Sequence, residues 1–302
     1  MDAFKTNKNK IINDPVYGFL NIATPLIFDI IQHPFFQRLR RIKQLGLTHL
    51  VYPGANHTRF QHALGAMHLM TNALDVLKKK GVEITDDEME SAIISILLHD
   101  IGHGPFSHAL EHSIVNKINH EKISLLIMEF LNKEFSGKLS MAIDIFNNNY
   151  RKKFLHQLVS GQLDVDRMDY LKRDTFFTGV SEGSISYERI LKMLHVHNDM
   201  LVVEAKGIYS IEKFLIARRL MYWQVYLHKT VVSSENLLMN ILKRAKELTF
   251  NGEELFASPA LHFFLYNAID EHRFVSDLEN TIENFIQLDD NDIISAIKVW
   301  TK

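Results

Sequence analysis

The run HDIGHGPFSH, residues 99–108, gathers three imidazoles and a carboxylate at one place in the chain. The stretch before it, Ala92–Leu98, is apolar except for Ser95, as expected of a core helix. Gly102, Gly104 and Pro105 then end that helix, leaving its last side chains fixed at their bases and open at their tips. Imidazoles and carboxylates ligate divalent cations and carry protons, so the run points to metal-assisted hydrolysis. A His-Asp pair alone carries little weight in a chain with 16 histidines. More comes from His62 and from the segment Leu163–Tyr170, where Asp164, Asp166 and Asp169 alternate with apolar residues. That alternation implies partial burial, in which a carboxylate needs a cation or hydrogen bonds. The candidate metal ligands are His62, His99, Asp100 and Asp166; the other reading of the acidic segment is a solvated face behind a cap.

Composition narrows the choice. The chain has 302 residues, enough for one large core or two modest ones, with 46% hydrophobic and 23% charged residues, as in a globular protein. A formal net charge of −2 supplies no basic field for nucleic acid or an anionic membrane. No apolar stretch approaches the roughly 18 residues that span a bilayer. No charged-then-apolar leader opens the sequence, so the expected compartment is the cytoplasm. Cysteine is absent, which removes disulfides and thiolates and leaves His, Asp or Glu to hold Mn, Fe, Zn or Mg.

Helical periodicity must position these groups. Thr24-Pro25 caps a helix to Ile31, and Pro34 opens one that runs to Leu45 before Gly46. Phe60 to Leu77 recurs at helical spacing, and Thr85 with the acids after it starts the helix that ends at His99. Further helices are expected at 120–133, 138–147, 151–160, 164–173, 185–194 and 211–247. One hairpin is expected, Leu194–His197 and Met200–Glu204 about an Asn198-Asp199 turn. The division is a flexible arm (1–12), a core (13–250) and a C-terminal helical segment (251–302). That segment stops at an exposed Trp300 inside a helical pattern, which reads as a truncation.

Taken in order, NDPVYG (13–18), FQRLRRIKQLG (36–46), YPGANHTRFQHALG (52–65), LLHDIGHGPFSHALE (97–111), NHEKIS (119–124), LDVDRMDYLKRD (163–174) and YLHK (226–229) resemble the HD-domain phosphohydrolases. The branch is that of the deoxynucleoside triphosphate triphosphohydrolases, which includes a mammalian restriction factor bearing a sterile-alpha motif. The resemblance implies an all-α HD-domain helical bundle, in agreement with the periodicity. It implies one divalent ion on His62, His99, Asp100 and Asp166, with further Mg accompanying a triphosphate. His103, His108 and His120 match active-site histidines, with His108 serving the leaving 5′ oxygen or the attacking water and Glu111 orienting it one turn away. Arg59, Arg167 and Arg218 match phosphate contacts; Gln44 and Leu45 match residues at the 3′ hydroxyl and C2′ of a deoxyribose; Tyr170, Asp174 and Tyr226 match sugar and base contacts.

The implied activity is cleavage of a dNTP to a deoxynucleoside and tripolyphosphate by a homo-oligomer, a dimer or larger. Lys10, Asn13 and Arg40 match a site for an activating nucleotide. Gln32 stands where relatives carry an acid that reads guanine, and Leu227 replaces a polar residue near the base. Two other readings stay open: an HD hydrolase of another nucleotide phosphoester, and a non-catalytic nucleotide-sensing scaffold.

Overall fold

Residues 59–79 are apolar on nearly every face, so this helix is buried at the centre and the others pack around it. The computed structural model describes residues 10–106, 115–116 and 118–300. In chain order the helices are α1 (Pro25–Gln32), α2 (Pro34–Gln37), α3 (Arg59–Lys79), α4 (Asp86–Leu98), α5 (His120–Glu134), α6 (Ser140–Phe146), α7 (Lys153–Val159), α8 (Val165–Thr178) and α9 (Tyr187–Met193). They continue with α10 (Ile208–Met221), α11 (Lys229–Phe250), α12 (Pro259–Tyr266), α13 (Glu271–Ser276), α14 (Leu278–Gln287) and α15 (Asp290–Val299). Hairpins β1 (Lys10–Asp14) with β2 (Gly18–Ile22) and β4 (Leu194–His197) with β5 (Met200–Val203) are antiparallel. β3 (Val115–Asn116) pairs in parallel with β6 (Ile269–Asp270).

Local chemistry fixes the ends of the helices that carry the site. Thr58 and Gln61 form a capping box at the start of α3, and Thr85 and Glu88 form one at the start of α4. Asp164 caps α8, its carboxylate accepting the N–H of Arg167 at 2.7 Å and of Gly161 at 2.8 Å. Gly179, at φ 76°, ends α8 in the left-handed conformation that a side chain disfavours. Helix α3 packs most extensively against α4 and α8, which sets the segments carrying His62, His99-Asp100 and Asp166 side by side.

The all-α architecture agrees with the periodicity, and Asn198 and Asp199, at φ 49° and 61°, make the expected tight turn. Four expectations are corrected. The helix expected to reach Leu45 ends at Gln37 and becomes a 3₁₀ turn, because the Lys43 N–H is taken by Asp290 and the Gln44 N–H by the His57 carbonyl. The helix expected over 211–247 is broken by a π-helical turn, Tyr222–Tyr226, and restarts after His228 in extended backbone. The arm boundary at residue 12 falls inside β1, whose pairing with β2 makes a second hairpin. Trp300 is half-buried and donates from Nε1 to the Phe256 carbonyl at 2.9 Å. No helix among the described residues is long and apolar enough to cross a membrane.

Glu88 ties α4 to the segment after α6. It is 1% exposed and accepts from Lys152 Nζ and Tyr150 Oη, each at 2.7 Å. Burial works against its charge, but Lys152, the Thr85 N–H and Tyr150 outweigh that and hold its pKa at about 2, against 4.5. A depressed carboxylate pKa stabilises above the unfolded value, and the effect fades as pH falls from 4.5 towards 2. Glu88→Gln is expected to lose up to about 3 kcal/mol at pH 7 and to converge on the parent near pH 2. Urea unfolding across that range is the check, and a pH-independent difference contradicts the assignment.

Candidate functional site

His62 lies in the first turn of α3, His99 and Asp100 at the end of α4, and Asp166 in the first turn of α8. Their donors converge. His62 Nε2 is 3.1 Å from Asp166 Oδ1 and 3.8 Å from Asp100 Oδ2. His99 Nε2 is 3.3 Å from Asp100 Oδ1 and 3.5 Å from Asp166 Oδ1. Ligands about 2.1 Å from one ion stand about 3 Å apart, so His62, His99 and Asp166 fit a single divalent cation, with Asp100 at its edge, Oδ2 accepting from Arg59 and Oδ1 facing His99 and His103. The Nε2 atoms of both histidines are buried and make no hydrogen bond to described residues, as expected of lone pairs aimed at a metal.

The opposite ring nitrogens are held. His62 Nδ1 donates to Asp169 Oδ2 at 2.7 Å and His99 Nδ1 to the Ile96 carbonyl at 2.6 Å, which leaves Nε2 unprotonated for a cation. Burial opposes charge here, yet Asp166 and Asp169 push the His62 pKa up to about 10. Burial likewise opposes the charge of Asp166, which His62 and His99 hold well below the usual carboxylate range. The carboxylates around Nε2 thus favour positive charge there, which a cation would supply.

The turn after α4 is shaped by α5. Ser124 Oγ donates to the His99 carbonyl at 2.8 Å and accepts the Gly102 N–H at 2.9 Å, ending the helix. A Cβ on Gly102 would stand 2.3 Å from the His120 carbonyl oxygen, so no larger residue fits. The same approach stacks the His103 and His120 rings 3.8 Å apart at 16°, with His103 Nε2 3.4 Å from Asp100 Oδ1. Burial, aided by Arg59, lowers the His103 pKa to about 3, so its imidazole is neutral. Asp100, His103 and His120 form a second convergent group beside the first. His108 and Glu111 lie outside the described residues.

Beside this centre a cavity of about 280 Å³ is lined by Gln44, Leu45, Arg59, Phe106, Tyr222 and Tyr226. The π-helical turn places Tyr222 and Tyr226 edge to face, 5.2 Å apart, and both reach this cavity. Arg59 spans the two regions, with Nη1 2.5 Å from Asp100 Oδ2. Tyr170 stands edge-on to Tyr226 at 6.1 Å. Asp174 is buried behind the cavity, held by Tyr226 Oη and by His57 Nε2, each at 2.7 Å. Arg167 is paired with Asp164, and Arg218 stands 5.7 Å from the Tyr222 ring.

Lys10, Asn13 and Arg40 come together elsewhere, in a cavity of about 620 Å³ between the first hairpin and α3 that Gln32 also lines. A third cavity, also about 620 Å³, opens onto His99, Asp100 and Asp166 from the side of His120, Lys122 and His156.

Sequence reasoning missed Asp169 and His57 as parts of the site. Asp169 stands one helical turn after Asp166, a spacing that could have identified it. His57 carries no such signal, since only the fold brings it to Asp174.

A profile of the HD domain matches residues 59–174, and one of the HD associated region matches 185–285. The crystal structure of a phosphohydrolase from Bacteroides thetaiotaomicron superposes with a TM-score of 0.95 at 63% identity, over 97% of this chain and 72% of that one. The uncharacterized protein YwfO of Bacillus subtilis is 37% identical over 98% of this chain and 67% of its own length. The deoxynucleoside triphosphate triphosphohydrolase SAMHD1 homolog of Dictyostelium discoideum is 30% identical over 84% of this chain and 53% of its own. The chain thus spans about half to two thirds of the length of these curated relatives. It belongs to the HD-domain phosphohydrolase family, and its His and Asp side chains form groups that could hold a divalent metal.

Proposed function

We propose that this protein is a metal-dependent dNTP triphosphohydrolase. The observation that supports it most directly is Arg59, which lines the 280 Å³ cavity and also grips Asp100 at the metal centre. A nucleoside seated against Gln44, Leu45 and Tyr226 would therefore have its 5′ phosphates at Arg59 and beside His103 and His120. Water adds across the bond between the α-phosphorus and the 5′ oxygen. A P–O bond forms to the water oxygen, the bond to the 5′ oxygen breaks, and deoxynucleoside and tripolyphosphate leave. A divalent ion (Mn, Fe, Zn or Mg) would polarise the phosphoryl group and acidify the water.

His108, oriented by Glu111, is assigned the proton at the 5′ oxygen, and Arg167 and Arg218 the remaining phosphate charge. Leu45 offers a ribose 2′ hydroxyl no partner. An unsatisfied hydroxyl costs about 1–3 kcal/mol, so ribonucleotides are expected to react about 10- to 100-fold more slowly. The cavity at Lys10, Asn13 and Arg40 is proposed to take an activating nucleotide. Gln32 in its wall cannot accept two hydrogen bonds from guanine as a carboxylate does. Assembly as a dimer or larger and a cytoplasmic location complete the proposal.

Incubation with Mn²⁺ and each dNTP or NTP is expected to release tripolyphosphate from dNTPs; orthophosphate alone would point to another phosphoester. Asp166→Ala is expected to abolish both metal retention and turnover, whereas a nucleotide-sensing scaffold would keep its ligand response. Because a cation and a proton compete for Nε2 of His62, Mn²⁺ binding at pH 7.5 should release a proton and strengthen as pH rises. Calorimetry in buffers of differing ionisation enthalpy reads that proton, and identical heats across buffers contradict it.

A further inference from the structure

We propose that Asp14, through Arg173, is a positioning residue for the metal centre, so that metal retention at His62 depends on docking of the β1–β2 hairpin. The inference rests on the reading of His62 as a metal ligand and not on the identity of the substrate.

The NDPVYG motif at 13–18 supplies Asn13 to the cavity at Lys10 and Arg40 but no group to the metal centre, yet its Asp14 begins a continuous chain of contacts to His62. Asp14 Oδ2 accepts from Arg173 Nη1 at 2.8 Å. Arg173 in turn grips Asp169 in two-pronged fashion, Nε to Oδ2 and Nη2 to Oδ1, each at 3.0 Å. Asp169 Oδ2 accepts the His62 Nδ1–H at 2.7 Å. His62, Asp169 and Arg173 are 0% exposed and Asp14 is 5% exposed, so water does not substitute for any link. The chain lies hard against α3. A Cβ on Gly65 would stand 2.0 Å from Asp169 Oδ1 and 2.2 Å from Arg173 Nη2, so glycine is needed one turn after His62.

The same Asp14 carboxylate also builds the hairpin. Its Oδ1 accepts the N–H groups of Val16 at 2.9 Å and Tyr17 at 3.0 Å, closing the turn between β1 and β2. One side chain therefore holds the turn and the guanidinium together.

The charges decide the effect. Arg173 is shared by two carboxylates, which leaves Asp169 a strong acceptor for the His62 N–H and raises the basicity of Nε2. Without Asp14, Arg173 has Asp169 alone to neutralise. Asp169 then accepts less strongly, and His62 holds a cation less well. Linkage makes the coupling reciprocal: whatever factor the docked hairpin adds to metal affinity, metal adds to hairpin docking. β1 also walls the cavity at Lys10 and Arg40, with Asp14 in its lining, so this chain of contacts joins that cavity to His62.

The test is Mn²⁺ titration of the whole chain without nucleotide, beside thermal unfolding. Asp14→Asn keeps the side-chain shape and is expected to raise the Mn²⁺ Kd by about 10-fold or more, the effect of losing an outer partner of a metal ligand. Glu88→Gln, in an ion cluster remote from the metal, should lower Tm and leave that Kd unchanged. An Asp14→Asn Kd within twofold of the parent overturns the proposal, whatever its Tm. Hydrogen exchange of the unmutated protein gives an independent reading, since Mn²⁺ should slow the amides of Lys10–Ile22. Unchanged exchange there also overturns it. A protein that binds no Mn²⁺ overturns it together with the metal reading, whereas failure to hydrolyse dNTPs touches only the proposed reaction.

Discussion

The contact between His62 Nδ1 and Asp169, buried where α3 crosses α8, is the constraint on which the rest of the site depends. An ionised carboxylate and an imidazole in an apolar core are costly unless each is matched. Arg173 matches Asp169, Asp14 matches the rest of Arg173, and the carboxylate across the centre matches His62. The close approach at Gly65 makes this possible, because α8 can lay its acidic face directly on the backbone of α3. With that crossing set, Asp166 on the next turn of α8 faces the end of α4, and the donor atoms meet without further adjustment.

Distant segments hold the two walls of the 280 Å³ cavity in register. Arg38 is 1% exposed and donates to the carbonyls of Ile101 and His103 in the metal-site turn, and to that of Leu288 before α15. Asp290 accepts the Phe106 N–H at 3.0 Å through one oxygen and the Lys43 N–H at 2.9 Å through the other. A single carboxylate in α15 thus joins the turn after His103 to the residue before Gln44 and Leu45. The C-terminal helices are therefore part of the architecture of the site, although they place no group in it.

Much of this was legible in the residues. Apolar periodicity located α3, α4, α5 and α8, and the capping pairs Thr58/Gln61 and Thr85/Glu88 mark where two of them begin. The HDIGHGPFSH run, His62 and Asp166 pointed to a cation because imidazole and carboxylate at helix ends have few other uses together. The breaks at Gln37 and at the π-helical turn were not legible. They arise where backbone donors find partners outside the helix, as Lys43 does at Asp290 and Gln44 at His57, or bond one residue further back than in an α-helix. The first hairpin was hidden by reading residues up to 12 as an arm, although Ile12, Leu20 and Ile22 turn toward the core.

By itself, the sequence determined the chemistry available and the helices that carry it, because ligand types, spacing and caps are local properties. Tertiary structure decided which carboxylates do what. Asp164 became a cap, Asp166 faced the centre, and Asp169 turned away to hold His62. Along one helix these residues differ only by rotation, and that rotation acquires meaning only when α3, Arg173 and Asp14 are packed against it.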